Sequence, residues 1–214
     1  MISPKELDIY IPSKKLAIEC NGVFWHSKKE PKYHLNKFLL CKENGIQLLT
    51  LWEDWIKRTP NIVKSILLSK LGIYKERIYA RKCIIREVNS KTCNQFLDNN
   101  HIQGRSNASL HYGLYYNNEL VSIMTFSRSR VGVGKNEDAW ELVRFCSKLN
   151  TQVIGSADKL FKYFLKTHNP SKVISYSSND ISNGGLYEKL NFHPEGPYNT
   201  AYWYIQDGSF ERFH

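Results

Sequence analysis

Two carboxylates near the start of the chain, Asp8 and Glu19, have the types and spacing of a hard-metal site. Asp8 lies in one short apolar run and Glu19 near the end of the next, on either side of the turn-forming segment 12–15. Pairing across that turn would bring both carboxylates to one end of a small sheet. Such a pair can bind Mg²⁺, and a metal-bound water can attack a phosphodiester bond. After Gly22 the backbone can turn sharply, which predicts that His26 is delivered to the same place.

Two polar clusters in the middle of the chain have the residue types that contact nucleic acids. Arginine, asparagine and glutamine grip phosphates or read base edges. One cluster lies in a single predicted loop and the other beside two glycines: His101, Gln103, Arg105 and Asn107, then Arg128 and Arg130. These side chains are the predicted DNA contacts.

A third candidate is the pair Gly155-Ser156, at the start of a predicted helix. The free N–H groups at a helix N-terminus can hold a pyrophosphate, which would suit acyl-coenzyme A. The same pair is also typical of an ordinary helix N-cap. Both interpretations stay open at this point.

The elements that must position the carboxylates follow a β-β-α-β order. Apolar alternation predicts a hairpin, and helical periodicity followed by Asn44-Gly45 predicts a helix that ends there. The predicted elements are strands 6–11 and 16–20, helix 32–44, strand 46–52 and helix 59–71.

The character of the sequence changes after Gly72, which predicts a domain boundary near residues 72–77 and two domains, 1–75 and 76–214. Asn117-Asn118 between two apolar runs is a hairpin signal. The predicted elements are strand 78–88, helix 90–99, strands 110–116, 120–126 and 140–146, helix 156–167, strand 173–176, helix 185–190 and strand 201–205. The expected fold class is therefore α/β in both domains.

Composition favours a polyanionic partner, because 30 Lys and Arg against 20 Asp and Glu give a net charge of +10. No apolar run approaches the roughly 20 residues of a membrane span, and the first residues lack a signal-peptide core. A cytoplasmic protein without membrane association is expected. The five cysteines are widely separated, which predicts reduced thiols rather than disulfides or a zinc site.

The residues around the carboxylates resemble the very-short-patch-repair-like branch of PD-(D/E)XK nucleases, in particular homing-type endonucleases of bacteriophages. The matching motifs are ELDIYIP, AIECNG with FWH, GIQLL and WEDW. The resemblance implies a small restriction-endonuclease-like mixed sheet, Mg²⁺ or Mn²⁺ as cofactor, and double-stranded DNA as substrate. It implies that Asp8 and Glu19 bind the metal, that Cys20 adds its backbone carbonyl, and that His26 assists the metal-bound water.

The chain departs from that branch in two ways. Asn21 stands where relatives have a catalytic histidine or lysine, and an amide is neither a base nor a cation near pH 7. Relatives also have a preceding helix with another acidic residue, for which Glu6 could substitute because it lies on the sheet face of Asp8. Glu53, Asp54 and His34 are further candidates near the site, and Trp25, Trp52 and Trp55 are expected in the core.

From about residue 78 onward the chain resembles the GNAT acyltransferase superfamily, more narrowly a phage-associated version related to the Mom DNA-modification proteins. The resemblance implies that Gly155 and Ser156 bind acyl-coenzyme A. It also places polar residues at the end of a late strand and in the following helix, where such proteins carry catalytic groups: Ser177, Asn179, Asp180 and Tyr187.

Together these features predict a phage-encoded, metal-dependent DNA endonuclease acting in a bacterial cytoplasm, with the second domain positioning DNA. One alternative is a Mom/GNAT-like acyltransferase that modifies DNA bases. Another is a weakened nuclease remnant that only binds DNA. The oligomeric state is not predicted.

Overall fold

The computed structural model describes residues 6–26, 32–128, 139–195, 203–206, 209 and 211–213, with the side chains of His26 and Phe213 excepted. Its strands and helices alternate along the chain, so the protein is a mixed α/β protein, as expected. It divides into two compact units: Met1–Val63, Ser177–Glu188 and His193–His214 form the first, and Lys64–Tyr176 with Lys189–Phe192 the second. The last part of the chain thus packs with the first part. Residue 75 as a domain boundary stays a prediction.

The N-terminal part of the chain has the predicted β-β-α-β order. Its elements are β1 (Ile9–Ile11), β2 (Leu16–Asn21), α1 (Val23–His26), α2 (Tyr33–Glu43), β3 (Gln47–Trp52), α3 (Glu53–Arg58) and α4 (Pro60–Leu71). The sheet order is β1-β2-β3, with β1 and β2 antiparallel and β2 and β3 parallel. A turn of 3-10 helix at Pro12–Lys14 closes the predicted hairpin. Helix α2 packs Phe38 and Cys41 against Ala17 and Leu48 of the sheet.

The middle of the chain forms the second unit around one larger sheet. Its elements are β4 (Glu76–Tyr79), β5 (Ile84–Glu87), α5 (Ser90–Asn100), β6 (Leu110–Tyr116), β7 (Glu119–Arg128), β8 (Ala139–Ser147), β9 (Thr151–Ile154), α6 (Ser156–His168) and β10 (Lys172–Ser175). The sheet order is β10-β8-β7-β6-β5, antiparallel from β5 to β8, with β10 parallel to β8. Helix α6 buries Leu160 and Phe164 in this core, and the Phe164 ring stacks on Phe126 at 3.6 Å between centroids.

One predicted element of this unit is wrong, and one strand was not predicted. The single strand expected over residues 78–88 is two strands, because a turn of 3-10 helix at Ala80–Lys82 redirects the chain. Strand β5 joins the main sheet, whereas β4 pairs in parallel with β9, a strand that the sequence analysis did not predict. The hairpin at Asn117 and Asn118 is confirmed, and both residues have positive φ, as a tight hairpin turn requires.

The C-terminal elements are α7 (Gly185–Lys189), β11 (Tyr204–Ile205) and β12 (Arg212–Phe213). Of the predicted strand 201–205, the structure describes residues 203–205, and β11 pairs with β12 as an antiparallel ribbon. All five cysteines are free thiols, as expected. None of the described helices is long and apolar enough to cross a membrane.

Candidate functional site

The hairpin of the first unit brings Asp8 and Glu19 together, one residue beyond the paired positions Ile9 and Ile18. The Asp8 backbone N–H donates to Glu19 Oε1 at 3.1 Å, and the Cys20 N–H donates to Asp8 Oδ2 at 2.8 Å. Each carboxylate therefore accepts a hydrogen bond from a backbone N–H across the hairpin, and the two bonds brace its end.

Lys37 is the residue of this cluster that sequence reasoning missed. Its ammonium lies 2.6 Å from Glu19 Oε2, and the two side chains are only 7% and 8% exposed. Helix α2 packs on the sheet, and this places the Lys37 ammonium beside the Glu19 carboxylate. The signal available in the sequence was a lysine beside the apolar positions Phe38 and Cys41, in a helix that had to cover the sheet.

The other predicted members of this cluster have separate partners. Asn21 is buried, and its amide lies 3.4 Å from His34 Nδ1. Glu53 accepts hydrogen bonds from the Val23 N–H and from Lys57, and the bond from Lys57 is the main reason why the pKa of Glu53 is lowered.

Of three further predicted positions, the structure describes the side chains of two. Burial, then the charges of Asp8 and Glu19, raise the pKa of the Cys20 thiol. Glu6 is exposed, and the His26 side chain lies outside the described structure. No group of three or more His, Cys, Asp or Glu side chains that could hold a metal ion occurs among the residues described.

Asp54 and Trp25 do not have the predicted surroundings. The buried Asp54 receives two hydrogen bonds of 3.0 Å from Arg212, so this candidate metal ligand is instead half of an ion pair. Trp25 was expected in the core but is 72% exposed. Its ring lies edge-on to Phe24, because the short helix α1 places both rings at the surface.

In the second unit, the parallel strands β8 and β10 pair only over part of their length. The register runs from Lys172 opposite Ala139 to Ser175 opposite Leu142, where β10 ends. Strand β8 continues for five residues to Ser147, still bonded to β7 on its other side. At this point the β7–β8 register shifts, and Val143 is the extra residue of a bulge. The arrangement opens one edge of β8 at the carboxyl end of two parallel strands.

The N-terminus of α6 follows β9 directly. Gly155 is the N-cap with φ 79°, a left-handed value that favours glycine, and it supplies no side-chain acceptor. Ser156 is the first helical residue, so the pair Gly155-Ser156 does form an ordinary helix N-cap, with glycine at the capping position. Lys159 donates to the carbonyls of Ala80 and Cys83 at 2.9 and 2.6 Å, which ties the first turns of α6 to the β4–β5 connection.

Several predicted DNA contacts have partners within the second unit. Arg105 forms a 2.6 Å ion pair with Asp98, and the Arg128 guanidinium lies 4.3 Å from the centre of the Trp140 ring. The Asn107 carbonyl accepts from Ser127, and His101 Nδ1 accepts from the Gln103 N–H. Arg130 lies outside the described residues. A DNA surface here stays a prediction.

The polar residues that the GNAT resemblance singled out, 177–187, belong to the first unit. The Asp180 carbonyl accepts from the Thr50 N–H at 2.7 Å. Burial raises the pKa of the Asp180 carboxyl, although the nearby Arg212 opposes that shift. This carboxyl therefore lies with Asp54 around one arginine.

The buried environment of His101 leads to a prediction about how stability depends on pH. Burial, with a smaller contribution from the charge of Arg144, lowers the pKa of His101 to about 3. In the unfolded chain the imidazole has a pKa of about 6.5, so it binds a proton between pH 6.5 and 3, whereas in the folded protein it stays neutral. The free energy of unfolding should therefore fall as pH drops from 6.5 towards 3. Compared with wild type, His101→Gln should lose about 1–2 kcal/mol less stability between pH 7 and pH 4.5 in urea unfolding. The exposed His193→Gln is the control, and identical pH profiles for the two variants would contradict the assignment.

Comparison with known protein families finds no match, and neither does comparison with curated protein sequences. Solved structures do match. A ribosomal-protein-alanine N-acetyltransferase from Brucella melitensis biovar Abortus 2308 is 14% identical, with 56% of this chain and 98% of that chain covered and a TM-score of 0.43. A predicted acetyltransferase with acetyl-CoA from Clostridium acetobutylicum is 11% identical, with coverage of 56% and 96% and a TM-score of 0.40. An aminoglycoside N-acetyltransferase in complex with CoA is 11% identical, with coverage of 56% and 97% and a TM-score of 0.42.

The prediction that the chain is a DNA endonuclease is wrong in light of these findings. The three solved structures named above are described as acetyltransferases rather than nucleases. In the chain itself, the Glu19 carboxylate forms an ion pair with Lys37, and the Asp8 carboxylate accepts a hydrogen bond from the Cys20 N–H. The correction covers the predicted hydrolase activity and its support by Mg²⁺ or Mn²⁺.

Proposed function

We propose that the second unit transfers an acyl group from a coenzyme A thioester to an amine on a nucleic-acid base. The observation that carries the proposal is the end of the β8–β10 pairing at Leu142 and Ser175, beside the bulge at Val143. Open α/β sheets bind ligands at the carboxyl ends of strands, where neighbouring strands diverge. Bulges also occur beside active sites, where they re-aim the backbone.

The N-terminus of α6 fits the anionic end of such a donor. Because Gly155 caps the helix without a side chain, the N–H groups of Ser156 and Ala157 would hold the pyrophosphate. The one acidic residue of the first turn, Asp158, is neutralised by Lys162 at 2.9 Å. The donor supplies a thioester, whose C–S bond breaks as the amine nitrogen forms an amide, and the proton lost by the amine passes to the departing thiolate.

The open edge of β8 would orient the acyl group. Beyond Leu142 no strand of the described structure pairs with the edge of β8 that faced β10, although the Val143 carbonyl accepts from the Arg144 side chain. The other backbone groups of this edge would bond the ligand. A backbone N–H aimed at the thioester oxygen would stabilise the charge that develops there as the amine attacks.

The nucleic acid is proposed as the acyl acceptor on the basis of the net charge of the chain and of the first unit. A net charge of +10 favours a nucleic acid, and the residues proposed to contact it are those of the 101–107 loop with Arg128 and Arg130. The first unit would act as a binding module, because its carboxylates brace the hairpin and bind Lys37.

Gly155→Asp tests the donor site. A carboxylate at the cap of α6 would repel the pyrophosphate, so calorimetry with acetyl-coenzyme A should show about tenfold weaker binding or worse. Gly72→Asp is the matched control: its φ of 81° gives a similar backbone strain within the same unit, with no atom near the added Cβ.

The two variants separate binding from folding. Equal affinity in Gly155→Asp and Gly72→Asp would remove α6 from the donor site. Incubation of wild type with acetyl-coenzyme A and duplex DNA should then yield acylated nucleosides by mass spectrometry. A wild type that shows neither heat nor product would overturn the proposed function.

A further inference from the structure

The first unit contains a cavity of about 350 Å³ at the amino-terminal ends of the parallel strands β2 and β3. This is the opposite end of the strands from Glu19 and Asn21. Its volume is at the small end of the range of ligand sites in proteins. The cavity is therefore separate from both the hairpin carboxylates and the proposed acyl-transfer site.

Three lysines from two elements line this cavity: Lys14, Lys15 and Lys42. Lys14 and Lys15 come from the hairpin turn, where Lys15 has a φ of 47°, a conformation that lysine rarely adopts. The Lys15 N–H donates to the Pro12 carbonyl at 3.0 Å, which holds the turn in that conformation. Lys42 comes from the last turn of α2. With Glu188 as the acidic residue in the lining, the cavity has a formal charge of about +2.

Gln47 adds a hydrogen-bond donor to the same lining. Its backbone N–H donates to the Lys15 carbonyl at 2.8 Å, which fixes the residue beside the turn. Its side-chain Nε2 is buried and has no hydrogen-bond partner among the described residues. Buried amide donors in proteins are nearly always satisfied, so this nitrogen points to a ligand oxygen.

We propose that this cavity binds a backbone phosphate of a nucleic-acid strand. The lysines supply the charge, and the Gln47 amide supplies a directed hydrogen bond to a phosphate oxygen. The positive charge of the cavity is larger than the single negative charge of one phosphodiester, so one backbone phosphate can be neutralised there. The charge of +10 on the whole chain favours a long polyanion over a small one. The site belongs to the first unit and does not depend on acyl transfer by the second.

Binding of a fluorescent 20-base-pair duplex, followed by anisotropy between 50 and 200 mM salt, tests this assignment. Lys14→Gln/Lys42→Gln should bind about tenfold more weakly, and the slope of log K against log salt should fall by about 1–2. Lys91→Gln/Lys166→Gln removes the same charge from exposed helical positions of the second unit. Equal losses in the two double variants would overturn the proposal.

Gln47→Leu separates the ligand role from a structural one. Because Gln47 Nε2 has no hydrogen-bond partner among the described residues, its removal should leave the melting temperature unchanged or raised while duplex affinity falls about fivefold. Unchanged affinity in this variant would contradict the role given to Gln47.

A competition experiment distinguishes a nucleic-acid strand from a free phosphate compound as the ligand of the cavity. Inorganic phosphate and a nucleoside monophosphate are added to the wild-type duplex complex at constant ionic strength. Retained duplex binding at millimolar competitor supports the strand assignment. Displacement by either compound that is absent in Lys14→Gln/Lys42→Gln would identify a free phosphomonoester site and overturn it.

Discussion

Lys37→Met is expected to lower the free energy of unfolding by about 3–5 kcal/mol, because it leaves the buried Glu19 carboxylate without its cation. Breaking one half of a buried pair costs far more than the pair itself contributes, since the remaining charge has lost its hydration and gains nothing in return. Urea unfolding followed by tryptophan fluorescence measures the change. The exposed Lys42→Met, on the same helix, should change stability by no more than about 0.5 kcal/mol.

The double variant Lys37→Met/Glu19→Gln tests the cause. Glutamine keeps an oxygen to accept from the Asp8 N–H but carries no charge, so most of the lost stability should return. If the double variant is as unstable as Lys37→Met, the loss comes from packing of the lysine stem rather than from an uncompensated carboxylate. If Lys37→Met matches Lys42→Met, the buried ion pair contributes nothing.

Arg212→Met is the second large prediction, with an expected loss of about 3–5 kcal/mol. The Arg212 guanidinium donates twice to Asp54 and lies 4.2–4.9 Å from the ring centres of Trp52, Trp55 and Trp203. Removing it leaves Asp54 buried and unpaired and also removes these cation–π contacts. Near-ultraviolet circular dichroism should report the changed tryptophan environment alongside the unfolding curve.

Arg58→Met is the matched control for Arg212. Arg58 contacts Glu211 at 3.5 Å, one residue before Arg212 in the chain, but its side chain is 62% exposed. Solvent screens such a pair, so the change should lie within about 1 kcal/mol. Cleavage near the C-terminus in limited proteolysis should increase in Arg212→Met and not in Arg58→Met. Equal behaviour of the two variants would show that the C-terminal segment is held by other contacts.

Elements with strong local signals were predictable from the sequence. The hairpin around residues 12–15, the ends of helices at Gly45 and Gly72, and the turn at Asn117-Asn118 each follow from turn chemistry and apolar periodicity within a few residues. The proximity of Asp8 and Glu19 belongs here too, since a two-strand register across a short turn determines it. The partners of these carboxylates, and hence the chemistry inferred from them, did not follow.

What failed depended on distant parts of the chain. The apolar run 78–88 has the pattern of one strand, but the choice between one strand and two depended on β6 and β9 as partners. Trp25 is apolar by type, yet the short α1 leaves its ring at the surface. The sequence around Asp54 indicated an acidic metal site, but in the structure Asp54 pairs with Arg212, which lies 158 residues further along the chain.

The sequence by itself determined the α/β class, the order of most elements, the basic charge and the pairing of Asp8 with Glu19 across their hairpin. Only the tertiary structure decided which carboxylate meets which cation, where the pairing of β8 with β10 ends, and which lysines share a cavity with Gln47. The physical reason is range. Backbone preference and apolar periodicity act within a turn or a strand, whereas desolvation and charge pairing depend on side chains that folding brings together from anywhere in the chain.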